Sequence, residues 1–293
     1  MKKNVLKICF SLLLFSLLQV ALHAQHFELG GLLGVSNYQG DLSNNSSALY
    51  LKETHLAAGA FGAYNMNDWL ALKLSFSYAT ISGTDANSNN EAVRRRNLSF
   101  RSPIYELGLT LEFNIPGFDP YNLNKPFSAY LFGGIGYSWF KPTTDFGGSK
   151  VALQPLGTEG QGLPGYPNPY RLGTLVLPMG VGLKYALTDK LSLGFELGAR
   201  RAFTDYLDDV SGVYVDPAVL AAGNSELSAL LSNRTGEYLG EPVTVTPGTP
   251  RGDQAPADWY FIAGFRISWH FLDNGLMGSR KRLRRNKRSG CNT

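Results

Sequence analysis

Trp69-Leu70-Ala71-Leu72-Lys73-Leu74-Ser75-Phe76-Ser77-Tyr78-Ala79 decides the fold of this 293-residue chain. Leu70, Leu72, Leu74, Phe76 and Tyr78 fall on one side of the run, and Ala71, Lys73, Ser75 and Ser77 on the other. A period of two is the period of a β-strand, and these two faces differ sharply in polarity.

The same signature recurs along the chain. Residues 104–115 set Tyr105, Leu107, Leu109, Leu111, Phe113 and Ile115 against Glu106, Gly108, Thr110, Glu112 and Asn114. Residues 191–203 set Leu191, Leu193, Phe195, Leu197 and Phe203 against Ser192, Gly194, Glu196, Gly198 and Arg200. Residues 259–271 set Trp259, Phe261, Phe265, Ile267, Trp269 and Phe271 against Tyr260, Gly264, Arg266, Ser268 and His270. Four weaker segments, 27–36, 57–66, 127–140 and 175–187, bring the count to eight.

Soluble sandwiches also alternate, so three further features choose between them and a membrane barrel. These runs reach about 10–13 residues, longer than the ~5–6 of soluble strands and enough for the ~9–11 of a tilted membrane strand. Their polar faces carry four acids and four bases: Glu28, Glu106, Glu112, Glu196, Lys73, Lys184, Arg200 and Arg266. Gathered inside a closed lumen, these charges neutralise one another. Aromatics, among them Trp69, Tyr78, Trp139, Tyr185, Trp259 and Trp269, fall near strand ends, where interfacial girdles belong. A sheet in lipid must also close, because its edges find no water there. The fold class expected is all-β: an eight-stranded antiparallel transmembrane β-barrel with long extracellular loops, over residues 25–272.

Connections alternate in length. Segments 37–56, 80–103, 141–174 and 204–258 are long, while 65–68, 116–126 and 188–190 are shorter. That pattern places both termini in the periplasm of a Gram-negative cell and the long loops outside it. The Gly- and Pro-rich loop 141–174 reads as irregular coil or a lid. Pro217 to Ser232 is spaced for one short amphipathic helix.

Both ends of the chain are basic. Lys2, Lys3 and Lys7 precede an apolar run from Ile8 to Leu22, and Ala24 offers a small residue for cleavage, so 1–24 reads as a signal peptide. Residues 273–293 form a tail carrying Arg280, Lys281, Arg282, Arg284, Arg285, Lys287 and Arg288, a block suited to an acidic periplasmic partner or anionic head groups. The body between is mildly acidic, and with export this speaks against nucleic acid. Removing the leader takes Cys9 with it and leaves Cys291 alone, so no internal disulfide is expected.

Little in the sequence points to catalysis. The small bore of an eight-stranded barrel favours a packed ion network over a conduit. Gly133-Gly134-Ile135-Gly136 lies within a strand, not at the strand-to-helix turn a nucleotide loop needs. Ser268 and His270 share a strand face and could form a nucleophile–base pair, though no orienting third group is visible. Asp205, Asp208, Asp209 and Asp216 could bind calcium, but the favoured reading pairs them with Arg200 and Arg201 or leaves them solvated. Arg94-Arg95-Arg96 could meet lipopolysaccharide phosphates or simply be solvated. No catalytic residue, metal or cofactor is therefore expected.

Several motifs resemble the PorG-like family of outer-membrane barrels. They are Tyr38-Gln39-Gly40-Asp41-Leu42, the run Asn97-Leu98-Ser99-Phe100-Arg101 leading to Tyr105-Glu106-Leu107, and Arg200-Arg201-Ala202-Phe203-Thr204-Asp205-Tyr206-Leu207-Asp208-Asp209-Val210-Ser211 followed by Tyr214-Val215-Asp216. The resemblance spans most of residues 26–272. It implies a non-enzymatic scaffold associated with type IX protein secretion and gliding, tethering a periplasmic partner to the outer membrane. The residues that carry it include Tyr38, Gly40, Asp41, Arg200, Asp205, Tyr206, Asp208 and Asp209. Two other functions stay open: a surface-binding barrel that uses its loops, and a lipid-modifying enzyme. Outer-membrane lipids and lipopolysaccharide are the expected surroundings in each case.

Overall fold

Alternation becomes a closed wall because every neighbouring pair of strands keeps its apolar positions in step. The computed structural model describes residues 26–43, 51–120, 125–243, 245–253 and 257–271. The expected leader over 1–24 and the basic tail over 273–293 lie outside the described residues. Ten strands occur: β1 His26–Gln39, β2 His55–Asn65, β3 Leu70–Thr84, β4 Ser99–Ile115, β5 Phe127–Phe140, β6 Thr143–Phe146, β7 Ser149–Ala152, β8 Gly173–Ala186, β9 Leu191–Ala202 and β10 Trp259–Phe271.

Eight of them form the ring β1-β2-β3-β4-β5-β8-β9-β10, antiparallel throughout, and β10 pairs back onto β1 to close it. Register couples Leu74 to Leu109, Leu111 to Gly133 and Leu33 to Phe265. The resulting outer surface is apolar. Leu56, Phe265, Leu33 and Ile135 are 75%, 73%, 67% and 63% exposed, as no residue of a soluble core would be. Trp69, Tyr78, Trp139, Tyr185 and Trp269 are exposed with them. On the barrel strands, the outward positions carry only two charges, Arg101 and Arg201.

Phe27 pairs with Phe271, so both ends of the barrel chain lie at one end of the ring, together with the turns at 66–69 and 187–190, the last residues of β4 and the first of β5. Asn67 Oδ1 accepts from the N–H groups of Trp69 and Leu70, and Thr188 Oγ1 accepts from those of Lys190 and Leu191, which folds two of these turns tightly.

At the opposite, distal end the strands outrun the barrel. β3 continues to Thr84 and β4 begins at Ser99, so the connection expected over 80–103 shortens to 85–98. Segment 141–174 is not wholly irregular, because β6 and β7 form a small hairpin turning at Gly147-Gly148, both with positive φ. The single helix expected over Pro217–Ser232 is two, α2 Pro217–Gly223 and α3 Glu226–Ser232. Ser225 breaks it: its hydroxyl accepts from the N–H of Ser228 and starts a new N-terminus. A one-turn helix α1, Glu91–Arg96, and a last one, α4, Thr235–Leu239, complete the distal elements.

The apolar core sits at this distal end. Tyr38, Leu42, Ile81, Leu98, Phe100, Phe140, Leu153, Leu207, Leu231, Tyr260 and Ile262 pack there, beneath the connections and above the ring's interior.

Candidate functional site

Inward positions on all eight barrel strands meet along the lumen. Lys73 of β3 lies 2.9 Å from Glu112 of β4 and 2.7 Å from Glu196 of β9. Arg266 of β10 reaches Glu28 of β1 at 3.1 Å, Glu112 at 3.0 Å and Glu196 at 3.5 Å. Lys184 of β8 also bonds Glu112. Tyr130 of β5 donates to Glu196 at 2.9 Å and accepts from Arg266 at 2.8 Å. Phe61 of β2 supplies a ring face 4.2 Å from the Arg266 guanidinium.

Six of the eight anticipated lumen charges thus form one cluster. Arg200 and Glu106 form a second pair nearer the distal end, at 3.3 Å. Tyr260 donates to Glu106 and exchanges a 2.6 Å hydrogen bond with Ser138. All eight charged residues are buried, and three acids and three bases in the larger cluster balance. Neutrality and dense hydrogen bonding are what allow charges out of bulk water.

His270 Nε2 lies 2.7 Å from Ser192 Oγ, a diagonal contact across the β9–β10 ladder, in which Ser192 pairs with Ser268. The imidazole is buried against the Phe118 ring, at the end of the ring that holds the turns.

The distal connections build a cap from the motif residues. The Tyr38 hydroxyl stands 2.8 Å from both Asp208 Oδ2 and Asp258 Oδ1. One hydroxyl has one proton, so a proton on either carboxyl completes the arrangement. Burial pushes both carboxyls well above the usual aspartate range; mutual repulsion adds to this at Asp208. Gly40 is required here, since a Cβ would stand 2.0 Å from Asp258 Oδ1 and from the Tyr38 hydroxyl. Asp41 accepts from the N–H of Asp253 at 2.8 Å, and burial raises its carboxyl to about 7.

Asp209, at φ 71°, accepts from Thr158 and Tyr170, each at 2.6 Å, and burial raises it to about 6. Asp205 is raised to about 6 for the same reason. Tyr206 donates to Glu159 at 3.3 Å. Seven of the eight motif residues therefore meet in the cap, while Arg200 belongs to the lumen.

This corrects the reading that paired the aspartates with Arg200 and Arg201. Alternation along β9 turns Arg200 inward and Arg201 outward, and the chain then leaves the strand. The arginines that reach these loops are Arg96 and Arg251, while Arg234 holds Glu237. Arg96 holds Asp85 through two 2.8 Å bonds and also donates to the carbonyls of Asp41 and Arg251. Arg251 holds Glu159 at 2.9 Å and donates to the Asp209 carbonyl at 2.6 Å. Asp216 caps α2, accepting from Ala218 N–H at 2.8 Å. Arg96 is therefore not part of a solvated run; Arg95 is exposed beside Glu91.

Arg251, Glu159, Asp258 and Asp85 lie in aperiodic segments, where the sequence gives no sign of facing. Among the described residues, Asp41, Asp205 and Asp253 are the group whose carboxylates converge enough to hold a cation, within 4.8 Å of one another. A cavity of about 10 Å³ lies beneath the cap, beside Asp208, Arg234 and Arg251. That is room for roughly one water and not for a substrate.

Sequence comparison matches residues 6–149 and 167–228 to a family described as a domain of unknown function, DUF6089. No curated protein matches the sequence. Solved structures that resemble the chain include the attachment invasion locus protein Ail of Yersinia pestis, at 9% identity over 85% of this chain and 100% of that one, with a TM-score of 0.39. The outer membrane protein OprG of Pseudomonas aeruginosa is 11% identical over 86% and 98%, with a TM-score of 0.37. Outer Membrane Protein W of E. coli is 13% identical over 85% and 99%, with a TM-score of 0.33.

Proposed function

The chain belongs to the DUF6089 family of domains of unknown function, and from that premise we propose that it is an outer-membrane barrel with a structural, anchoring role rather than a channel or an enzyme. The observation that carries this reading is the pairing of an apolar outer wall with a filled, charge-balanced lumen. The wall suits lipid, since a closed ring satisfies its own backbone. The bore of eight strands is one that side chains fill, and here buried charges and tyrosines occupy it. The surfaces left for partners are the two ends.

At the turn-bearing end, β10 stops at Phe271 and the basic segment from Arg280 to Arg288 follows. That end faces the periplasm in this reading, and the seven bases are the dock for an acidic periplasmic partner. The resemblance of the Tyr38–Leu42 and Arg200–Ser211 motifs to PorG-like barrels supports placing that partner in a type IX secretion or gliding machine. The test compares the intact chain with one ending at Ser279, in pulldowns from solubilised outer membranes. Both must show the heat-modifiable gel shift of a folded barrel. Recovery of periplasmic secretion components with the intact chain alone is the expected result. Equal recovery with both forms removes the tail from the dock, and recovery with neither overturns the anchoring role.

A second reading rests on the cap, where Val219, Leu230, Tyr238 and Leu239 are exposed around α2–α4. In that reading the barrel presents a rigid surface to an external ligand. Removing α4 while the barrel still folds would then abolish surface binding and leave the pulldown unchanged.

A further inference from the structure

Three exposed bases stand on or just beyond three adjacent strands at the distal rim, on the outer side of the wall. Arg101 lies on β4 opposite Thr143. Lys141 directly follows β5, falling opposite Pro103 between the Arg101–Thr143 and Ile104–Phe140 pairs. Arg171 lies two residues before β8. The Trp139–Gly173 pair and the bond from Phe140 N–H to the Leu172 carbonyl carry the ladder on to Lys141 and Arg171. Neighbouring strands lie ~4.8 Å apart, and diagonal positions ~7–8 Å. All three side chains are exposed. Among the described residues, no carboxylate lies within ion-pair distance of any of them.

Like charges set side by side on a sheet repel, so the arrangement is costly without an anion between them. The floor of the patch is aromatic. Tyr105 pairs with Trp139, Tyr137 lies 4.9 Å from Trp139, and Tyr78 lies 5.1 Å from Tyr105. Gly173 leaves room for Tyr137: a Cβ there would stand 2.6 Å from its hydroxyl, so that hydroxyl lies beside the rim just below Arg171. The other outward base, Arg201, is set apart, against the Phe203 ring at 6.0 Å. The nearby Asp145 and Lys150 face each other across the β6–β7 hairpin.

We propose that Arg101, Lys141 and Arg171, with the Tyr137 hydroxyl, bind the phosphate of an anionic lipid head group whose acyl chains lie on the aromatic and apolar wall below. Arginine forks fit phosphate oxygens, lysine adds a point charge, and the aromatics sit at head-group depth. This rests on the membrane-barrel reading above. It moves the lipid contact from Arg94–Arg96, where Arg96 is committed to Asp85, to the barrel wall.

The full chain, folded into nanodiscs of phosphatidylcholine with either lipid A or uncharged diacylglycerol, would be released and its retained lipids counted by native mass spectrometry. Heat-modifiable migration checks the barrel itself, so a failed fold and a failed site are distinguished. Wild type should retain lipid A, and R101Q/K141Q/R171Q should lose it by roughly a hundredfold, in line with three surface charges. The control K190Q, at the other end of the ring, should behave as wild type. Equal retention by wild type and the triple variant overturns the proposal. So does tight binding of inorganic phosphate by the same three residues in detergent, which would make the site one for a soluble anion. If the triple variant does not fold, single substitutions and the salt dependence of wild-type retention decide. Retention indifferent to salt overturns the site.

Discussion

Glu112 is the hinge of the lumen's electrostatics. Its two oxygens face Lys73 at 2.9 Å, Arg266 at 3.0 Å and Lys184, and it is fully buried. Each of these cations has given up water, so the carboxylate cannot be removed without leaving positive charge uncompensated. Breaking a buried pair from one side costs roughly 3–5 kcal/mol, much more than an exposed pair contributes. Glu112→Ala should therefore lower unfolding stability by about 3–5 kcal/mol, read from urea titrations of the barrel folded in vesicles. Glu237→Ala, which removes a half-exposed partner of Arg234, should change stability by at most ~1 kcal/mol. Similar losses for the two variants would mean the lumen network does not hold the barrel together. Tyr130 belongs to the same argument, because it bridges Arg266 and Glu196 and so spreads one pair's geometry over three strands.

Among elements, the cap differs from the barrel in what holds it. Its connections have few backbone ladders and rely on carboxylates in positions where burial raises their pKa. Asp41 is raised to about 7, and Asp205 and Asp209 to about 6, from an ordinary 3.8. An acid whose folded pKa lies above its unfolded value favours folding in its protonated form. Its contribution is full below about pH 4 and is lost as pH rises through 6 to 7. Arg96 and Arg251 oppose the effect, but burial outweighs them at these aspartates. Amide exchange in 203–253, corrected for intrinsic rates, should show the cap better protected at pH 5 than at pH 8. Asp41→Asn keeps the acceptor for Asp253 N–H and removes the charge, so it should flatten the part of that profile above pH 6. Protection that instead rises toward pH 8 would reverse the sign and rule out these carboxyls as the cause.

At the scale of the whole molecule, closure decides what the barrel can pass. Eight strands enclose a bore that side chains fill, and here both charge clusters and the Tyr130 and Tyr260 phenols occupy it. Phe118 lies buried beside His270 at one end, and the cap covers the other. Purified protein in planar bilayers should show no steady ohmic conductance at physiological salt. Reproducible channels from wild type would show that the network opens and that the anchoring role is incomplete. An occluded barrel also leaves function to its ends and its wall, where the Arg101–Lys141–Arg171 patch lies.

The sequence by itself determined the eight strands, which face of each is apolar, and which charged residues turn inward. Period-two alternation is a local property, and a strand's facing follows from its own residues. It also separated the basic ends from the mildly acidic body. Tertiary structure alone decided the partners. Glu28 meets Arg266, 238 residues away, because closure puts β10 beside β1. Tyr38 meets Asp258, 220 residues away, because the last connection folds back over the first strand. The run Arg200–Asp209 reads as one charged motif, yet alternation at the end of β9 sends Arg200 into the lumen, and the turn after Ala202 carries the aspartates into the cap. Segment 203–258 has no period to reveal its facing, so Arg251 and Asp258 gained their roles only when register and closure fixed what lay opposite them.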